Sequence, residues 1–211
     1  MPDQFAGYFH CGRLVNNRPQ SLPGWRITTG DAEVAKEVAR LMGGLPEEWD
    51  SSCGDYLEVL TSAARTCVII EGPSALTTEM RLWKRSQLVH HCDGTSLLSP
   101  EELQGYPCGC PPTMAERKAA AKAFRGPQPI TSLTFRLADA PSLGLFLLRS
   151  MSWKLAEDAC GALETLGRAS GPALAELCLD LVELTTSGGR TVAYRKPGVV
   201  VHQLDSESES R

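Results

Sequence analysis

The residues of this chain best suited to chemistry lie near its middle: His90-His91-Cys92-Asp93-Gly94, and then Pro107-Cys108-Gly109-Cys110-Pro111. Thiolates and imidazoles are the donors that hold a tetrahedral Zn2+, and Gly and Pro beside them let a short loop aim two sulfurs at one ion. Cys92, Cys108 and Cys110 are therefore the expected ligands, and either His91 or His90 completes the set, with His91 as the expected fourth donor. The alternative is two free thiols in a surface loop beside an exposed His91. The metal reading is preferred because these residues sit among turn formers with little core of their own, and metal binding supplies folding free energy directly. A structural zinc is expected. A catalytic one normally brings a carboxylate base beside an open coordination position, and Asp93, the one close candidate, suits the turn before Gly94. A small zinc hydrolase using the three cysteines and a bound water is the catalytic rival.

Other catalytic patterns are missing from the sequence. It has no phosphate-cradling Gly-rich loop with Lys, no Gly-x-Ser-x-Gly elbow and no His-Glu-x-x-His. With four histidines in all, two of them (His10 and His202) near the termini, a nucleophile and base pair is hard to assemble. The expectation is a protein that is not an enzyme and takes no small-molecule substrate. A net charge of -4 argues against a chain whose main partner is a nucleic acid backbone and favours a protein partner. The short basic clusters, Lys84-Arg85 and Arg117-Lys118 with Lys122, read first as solvated faces. Trp83 with Lys84 and Arg85 is the candidate partner-binding group, since aromatic and Arg residues anchor interfaces, although Trp83 serves equally well as a core residue. Met1 to Tyr8 carry no basic stretch followed by an apolar run, and no window reaches the apolar length of a membrane span. A cytoplasmic protein without membrane contact is expected. In that compartment Cys11, Cys53, Cys67, Cys160 and Cys178 read as reduced residues that mostly pack.

The elements around the cluster follow from periodicity. Residues 1–21 read as an irregular lead-in, and a first strand starts near Gly24. Thr29 or Asp31 caps a helix whose Val34, Ala35, Val38, Leu41 and Met42 recur at helical spacing, stopped by Gly43-Gly44. Tyr56 to Leu60 and Thr66 to Ile70 read as a β-hairpin. In the second half, strands at Leu133 to Leu137 and Leu143 to Leu148 precede a helix from about Ser152. The runs Leu177 to Leu184 and Thr191 to Val201 flank the turn signal Ser187-Gly188-Gly189 and read as a hairpin, its second strand broken or bulged at Pro197-Gly198. Between the halves, Thr113 to Glu116 forms a capping box that opens a helix running to Phe124 and buttressing the metal loop. The fold class is therefore α+β, with two strand-helix-hairpin units and a zinc-binding loop between them. The corresponding divisions are an N-terminal unit (1–80), a metal-binding loop and helix (81–128), a C-terminal unit (129–204) and a disordered acidic tail (205–211).

In order along the chain, these residues resemble the recombination directionality factors of large serine integrases of the actinobacterial phage type. The resemblance covers roughly Gly12 to Val201 and rests on Trp25-Arg26-Ile27-Thr28-Thr29, Leu41-Met42-Gly43-Gly44, Trp49, Leu57 to Thr61 and Leu82-Trp83. Cys92-Asp93-Gly94, Pro107 to Pro111, Glu116-Arg117, Leu133 to Leu137, Asp139, Pro141, Leu143-Gly144 and Gly189-Arg190 continue it. The family pattern often has a further cysteine where Pro127 or Leu88 stands here, so a fourth ligand comes from elsewhere or is missing, and His91 or His90 is the obvious substitute. The resemblance implies a protein that binds its serine integrase at the coiled-coil region, meets DNA only through it, and turns attP × attB integration into attL × attR excision. A zinc-containing regulatory or replication accessory protein that contacts DNA through Lys84-Arg85 is the alternative.

Overall fold

The computed structural model describes residues 5–202 apart from 17, 52, 53, 124, 186, 187 and 190. Cys53, Phe124, Ser187, Arg190 and the acidic tail therefore lie outside the described residues. Those described form a mixed α+β structure of twelve strands and three α-helices. The chain opens with β1 (Gly7–Val15) and β2 (Arg18–Thr29), an antiparallel pair with an irregularity between His10 and Gly12. The irregular lead-in expected for residues 1–21 is thus largely strand. Gly, Asn and Pro mask the alternation in this stretch, whose inward residues include Phe9 and Leu22.

Asp31 then caps α1 (Ala32–Met42), its carboxylate accepting the N–H groups of Glu33 at 2.8 Å and Val34 at 3.3 Å. The helix buries Val34, Ala35, Val38 and Met42. Next come β3 (Pro46–Glu48), β4 (Leu57–Leu60) and β5 (Arg65–Ile70). The hairpin expected from the last two does not form: β4 pairs with β2 and β3, and β5 with strands from the second half. Thr61, buried between them, redirects the chain. Its hydroxyl accepts from the Trp25 N–H at 2.9 Å and donates to the Ala63 carbonyl at 2.9 Å, so the segment is fastened to β2 before β5 begins.

The remaining elements are β6 (Leu76–Lys84), β7 (Gln87–Cys92), β8 (Leu97–Ser99), α2 (Met114–Lys122), β9 (Gln128–Leu137), β10 (Phe146–Ser150), α3 (Trp153–Arg168), β11 (Ala173–Thr185) and β12 (Thr191–Val201). The main sheet runs β12-β11-β5-β9-β10-β1-β2-β4-β3. Strands of the two halves interleave: β1 lies parallel to β10, and β5 sits between β9 and β11, so two separate strand-helix-hairpin units are not seen. On one edge β9 pairs with β5 at Leu137 and Arg136 and with β6 from Leu133 to Gln128, where the small sheet β6-β7-β8 branches off.

The core gathers around Phe9, whose ring meets Trp25, Phe135 and Phe146 edge-on at 5.5, 5.0 and 5.6 Å between centroids. Leu155, Ala159, Ala162 and Leu166 of α3 join it, and Ser152 caps that helix as its position suggests. In β12 the expected break at Pro197-Gly198 is absent, and the strand keeps one-to-one register with β11. Arg195 N donates to Ser21 Oγ at 3.0 Å and Val199 N to Asp158 Oδ2 at 3.4 Å, so the odd-numbered positions face away from β11. Pro197 belongs to that outward set and costs the ladder no donor. Of the cysteines expected to pack, Cys178 is buried and Cys11 half-buried, while Cys67 and Cys160 are exposed. They are two positions where a strand or helix turns its small residue outward.

Candidate metal centre

Strand geometry decides which histidine joins the cysteines. Side chains alternate across a strand, so on β7 His90 and Cys92 share one face and His91 takes the other. His90 Nε2 lies 3.1 Å from Cys92 Sγ and 3.3 Å from Cys110 Sγ, and the two sulfurs are 3.7 Å apart. Donor atoms of His90, Cys92, Cys108 and Cys110 all lie within 4.8 Å of one another. The expected fourth donor, His91, is elsewhere: its Nδ1 meets Ser99 Oγ and its Nε2 meets Glu79, both at 3.0 Å. The sequence names both histidines, and the parity of β7 selects His90.

Two turns bring the other sulfurs in. After Cys92 the Asp93 carboxylate accepts the N–H groups of Thr95 and Ser96, both at 2.7 Å, and Gly94 N points at Cys92 Sγ at 3.3 Å. These hydrogen bonds, that from Ser96 foremost, hold the Asp93 carboxyl below its ordinary range. The second turn is laced to the first through Cys108 N to the Thr95 carbonyl (2.9 Å) and an isolated bridge between Ser96 and Pro107. Gly109 adopts φ 69°, and Cys110 N then points at Cys108 Sγ at 3.5 Å, folding the Cys-x-Cys unit around one point.

A brace that the sequence did not single out locks the two turns together. Arg117, in the first turns of α2, donates from Nε to the Pro111 carbonyl at 2.6 Å and from Nη2 to the Gly94 carbonyl at 2.7 Å. Gly94 has φ 99°, which favours glycine, and a Cβ there would fall 2.4 Å from Arg117 Nη1 and push the guanidinium aside. The Thr113/Glu116 capping box foreseen in the sequence is present and fixes where α2 starts, hence where Arg117 points. In the sequence Arg117 belongs to a basic cluster read as a solvated face and to the Glu116-Arg117 pair of the family pattern; the structure turns its guanidinium onto the two loops instead.

Burial pushes the Cys92 and Cys110 thiols up and, together with His91, pushes the His90 imidazole down. The imidazole is thus held in the neutral form a metal requires, and a cation would be what makes the thiols ionise. For a tetrahedral zinc the ligand bond lengths put sulfurs about 3.8 Å apart and sulfur and nitrogen about 3.5 Å apart. The distances between donors fit, and so does their chemistry: this Cys3His cluster could hold a metal ion. No other group of donors with such spacing occurs among the described residues.

Trp83, Lys84 and Arg85 lie at the far end of the same β6-β7 pair. Arg85 (φ 46°) and Ser86 (φ 65°) form its tight turn, and Trp83 is 55 % exposed, which removes it from the core.

The fold and site define a β-rich α+β chain with a four-donor knuckle on a side sheet. A family model described as Gp3-like, recombination directionality factor-like, matches residues 6–202, and the chain belongs to that family. Membership places it among recombination-related accessory proteins and implies a recombinase or integrase as partner. No solved structure matches the chain. Among the described residues no helix is long and apolar enough to cross a membrane.

Proposed function

We propose that this chain is a recombination directionality factor: it binds a serine integrase through the integrase's coiled-coil region and converts attP × attB integration into attL × attR excision. The observation that carries this reading is the family match, which extends over nearly all of the described chain. A binding partner redirects a reaction only through differential affinity for two arrangements of the complex. The factor would thus favour the arrangement of integrase that lets attL and attR pair, while the integrase supplies the nucleophile and the phosphate contacts. The net charge of -4 accords with that division. The chain would work in the host cytoplasm, where the integrase meets DNA, with no reaction of its own.

In this reading the metal is a structural zinc held by His90, Cys92, Cys108 and Cys110. Four protein donors leave no coordination position for water, which opposes the zinc hydrolase alternative. Direct DNA binding through the segment around Lys84 and Arg85 is a second reading, favoured by the basic residues there, and it predicts salt-sensitive binding to duplex DNA without integrase.

The test is recombination in vitro of attL with attR, and of attP with attB in parallel, using the integrase encoded nearest this gene. Excision that appears only with the purified protein, with integration suppressed, is the expected result. Unchanged outcomes with an active integrase overturn the proposal.

A further inference from the structure

Where the side sheet meets the main one, a groove of about 450 Å3 opens, walled by Leu82, Trp83, Ile130 and Met151 and floored by Ala121 and Gly126. One wall belongs to the hairpin that carries His90 and Cys92, the other to β9 and the approach to α3. Its apolar groups are unusually open: Trp83 is 55 % and Met151 57 % exposed.

The charge around this groove departs from that of the chain. Segments 80–92, 117–132 and 144–156, which supply its walls and floor, contain no Asp or Glu, in a chain with 25 of them. They carry Arg81, Lys84, Arg85, Lys122, Arg125 and Arg149 among other cations. Arg81 is ion-paired to Glu79, whereas Lys84, Arg85, Lys122 and Arg125 have no ion pair among the described residues. An apolar slot bordered by Lys84, with Arg85 next to it in the same turn, is complementary to an apolar side chain flanked by carboxylates.

We infer that this groove is the docking site for an acidic-flanked apolar segment of the recombinase partner, with Trp83 and Met151 gripping the apolar anchor and Lys84 and Arg85 meeting the flanking carboxylates. The inference rests on the directionality-factor reading and adds to it the place and chemistry of the contact. A protein segment is favoured over a nucleic acid strand because the most exposed lining groups, Trp83 and Met151, are apolar and suit a side chain, with Arg81, Lys84 and Gln128 beside them. The acidic balance of the whole chain also opposes close approach of DNA.

The experiment uses the full chain with the same integrase bound to attL and attR DNA. Binding by wild type is measured first, then Trp83→Ala, the double variant Lys84→Glu/Arg85→Glu, and Leu184→Ala on the exposed end of β11 as a control. A central aromatic anchor truncated to Ala should weaken binding about thirtyfold. The double variant should lose affinity at low salt and lose less at high salt, and the control should bind as wild type. A photo-crosslinking residue in place of Met151 should attach to an integrase peptide containing an apolar residue between Asp or Glu. Both positions are largely exposed, so folding should survive, and unchanged circular dichroism verifies this for each variant. Wild-type binding with no loss in Trp83→Ala, a loss confined to Leu184→Ala, or a crosslink to DNA or to a basic peptide overturns the groove assignment and leaves the directionality reading standing. Failure of wild type to bind an active integrase overturns both.

Discussion

With zinc in the proposed site, its removal should melt a defined part of this protein and spare the rest. Between Asp93 and Ala120 the only buried residue is Gly94, which has no side chain to bury. The segment therefore has little apolar burial of its own, chiefly half-buried Leu97, Leu98 and Met114, to offset the roughly 1–2 kcal/mol per residue that ordering a backbone costs. What holds it is hydrogen bonding: the Thr95 and Ser96 N–H groups to Asp93, Cys108 N to the Thr95 carbonyl, Leu97 N to the Tyr106 carbonyl, Gly105 N to the Leu97 carbonyl, and Arg117 across the two turns. The aromatic core around Phe9 shares none of these contacts. With free zinc a thousandfold above its dissociation constant, linkage stabilises the closed segment by about 4 kcal/mol, a factor of about a thousand in protection. Hydrogen exchange of the zinc-loaded protein, before and after a strong chelator, should show the amides of Thr95, Ser96, Leu97, Gly105, Tyr106 and Cys108 losing protection by up to that factor. Amides of β9, β10 and α3 should keep theirs. Equal protection of the loop with and without metal would falsify the argument that the cluster staples it, and loss of protection throughout would show that the core depends on the site after all.

Further outcomes follow from single side chains. His90→Ala should lower zinc affinity so far that a weak chelator strips the ion, whereas His91→Ala, which loses bonds to Glu79 and Ser99, should keep its zinc and cost about 1 kcal/mol of stability; competition with a chromophoric chelator separates the two. Arg117→Ala removes the donor to the Pro111 and Gly94 carbonyls and should weaken zinc binding about 10- to 100-fold without changing its stoichiometry, as loss of an outer brace does, which the same competition measures. His10 is half-buried against Thr28, and its desolvation, aided by Arg26, lowers its pKa to about 4. Its unfolded form takes up a proton first, so its contribution is complete above pH 6.5 and is lost as pH falls towards 4, by at most about 3 kcal/mol. Urea midpoints at pH 7 and pH 4 should therefore differ less in His10→Gln than in wild type, and equal differences would count against the buried neutral imidazole.

What the sequence disclosed and what it withheld divide along a physical line. Local signals were reliable: the Asp31 and Ser152 caps, the Thr113/Glu116 box and the β11-β12 hairpin are all fixed by residues a few positions apart. Strand partners were not, because an apolar run such as Thr66 to Ile70 states that it will be covered and is silent about what covers it. Its neighbours turn out to be β9 and β11, from the far half of the chain. The site shows the same division. Three cysteines were legible from ligand chemistry, but the choice between His90 and His91 depended on β7 being a strand at all, which the surrounding turn residues concealed. Arg117 stood out as a basic residue, but its bracing role did not, for a related reason: its partners are backbone carbonyls, which every residue possesses and no sequence pattern marks.

The outer edge of β12 has a consequence for how this protein behaves in a crowd. Three successive outward positions there present no free N–H: Arg195 N is satisfied by Ser21, Pro197 has no N–H to offer, and Val199 N is satisfied by Asp158. A long sheet ordinarily ends in a row of hungry amides that recruits any extended chain, its own nascent copies included. Here that row is dismantled by a serine, a proline and an aspartate drawn from three distant parts of the chain. An incoming extended chain would meet outward carbonyls there but no free amide to complete a ladder, so this stretch of β12 is a poor template for joining copies of the protein.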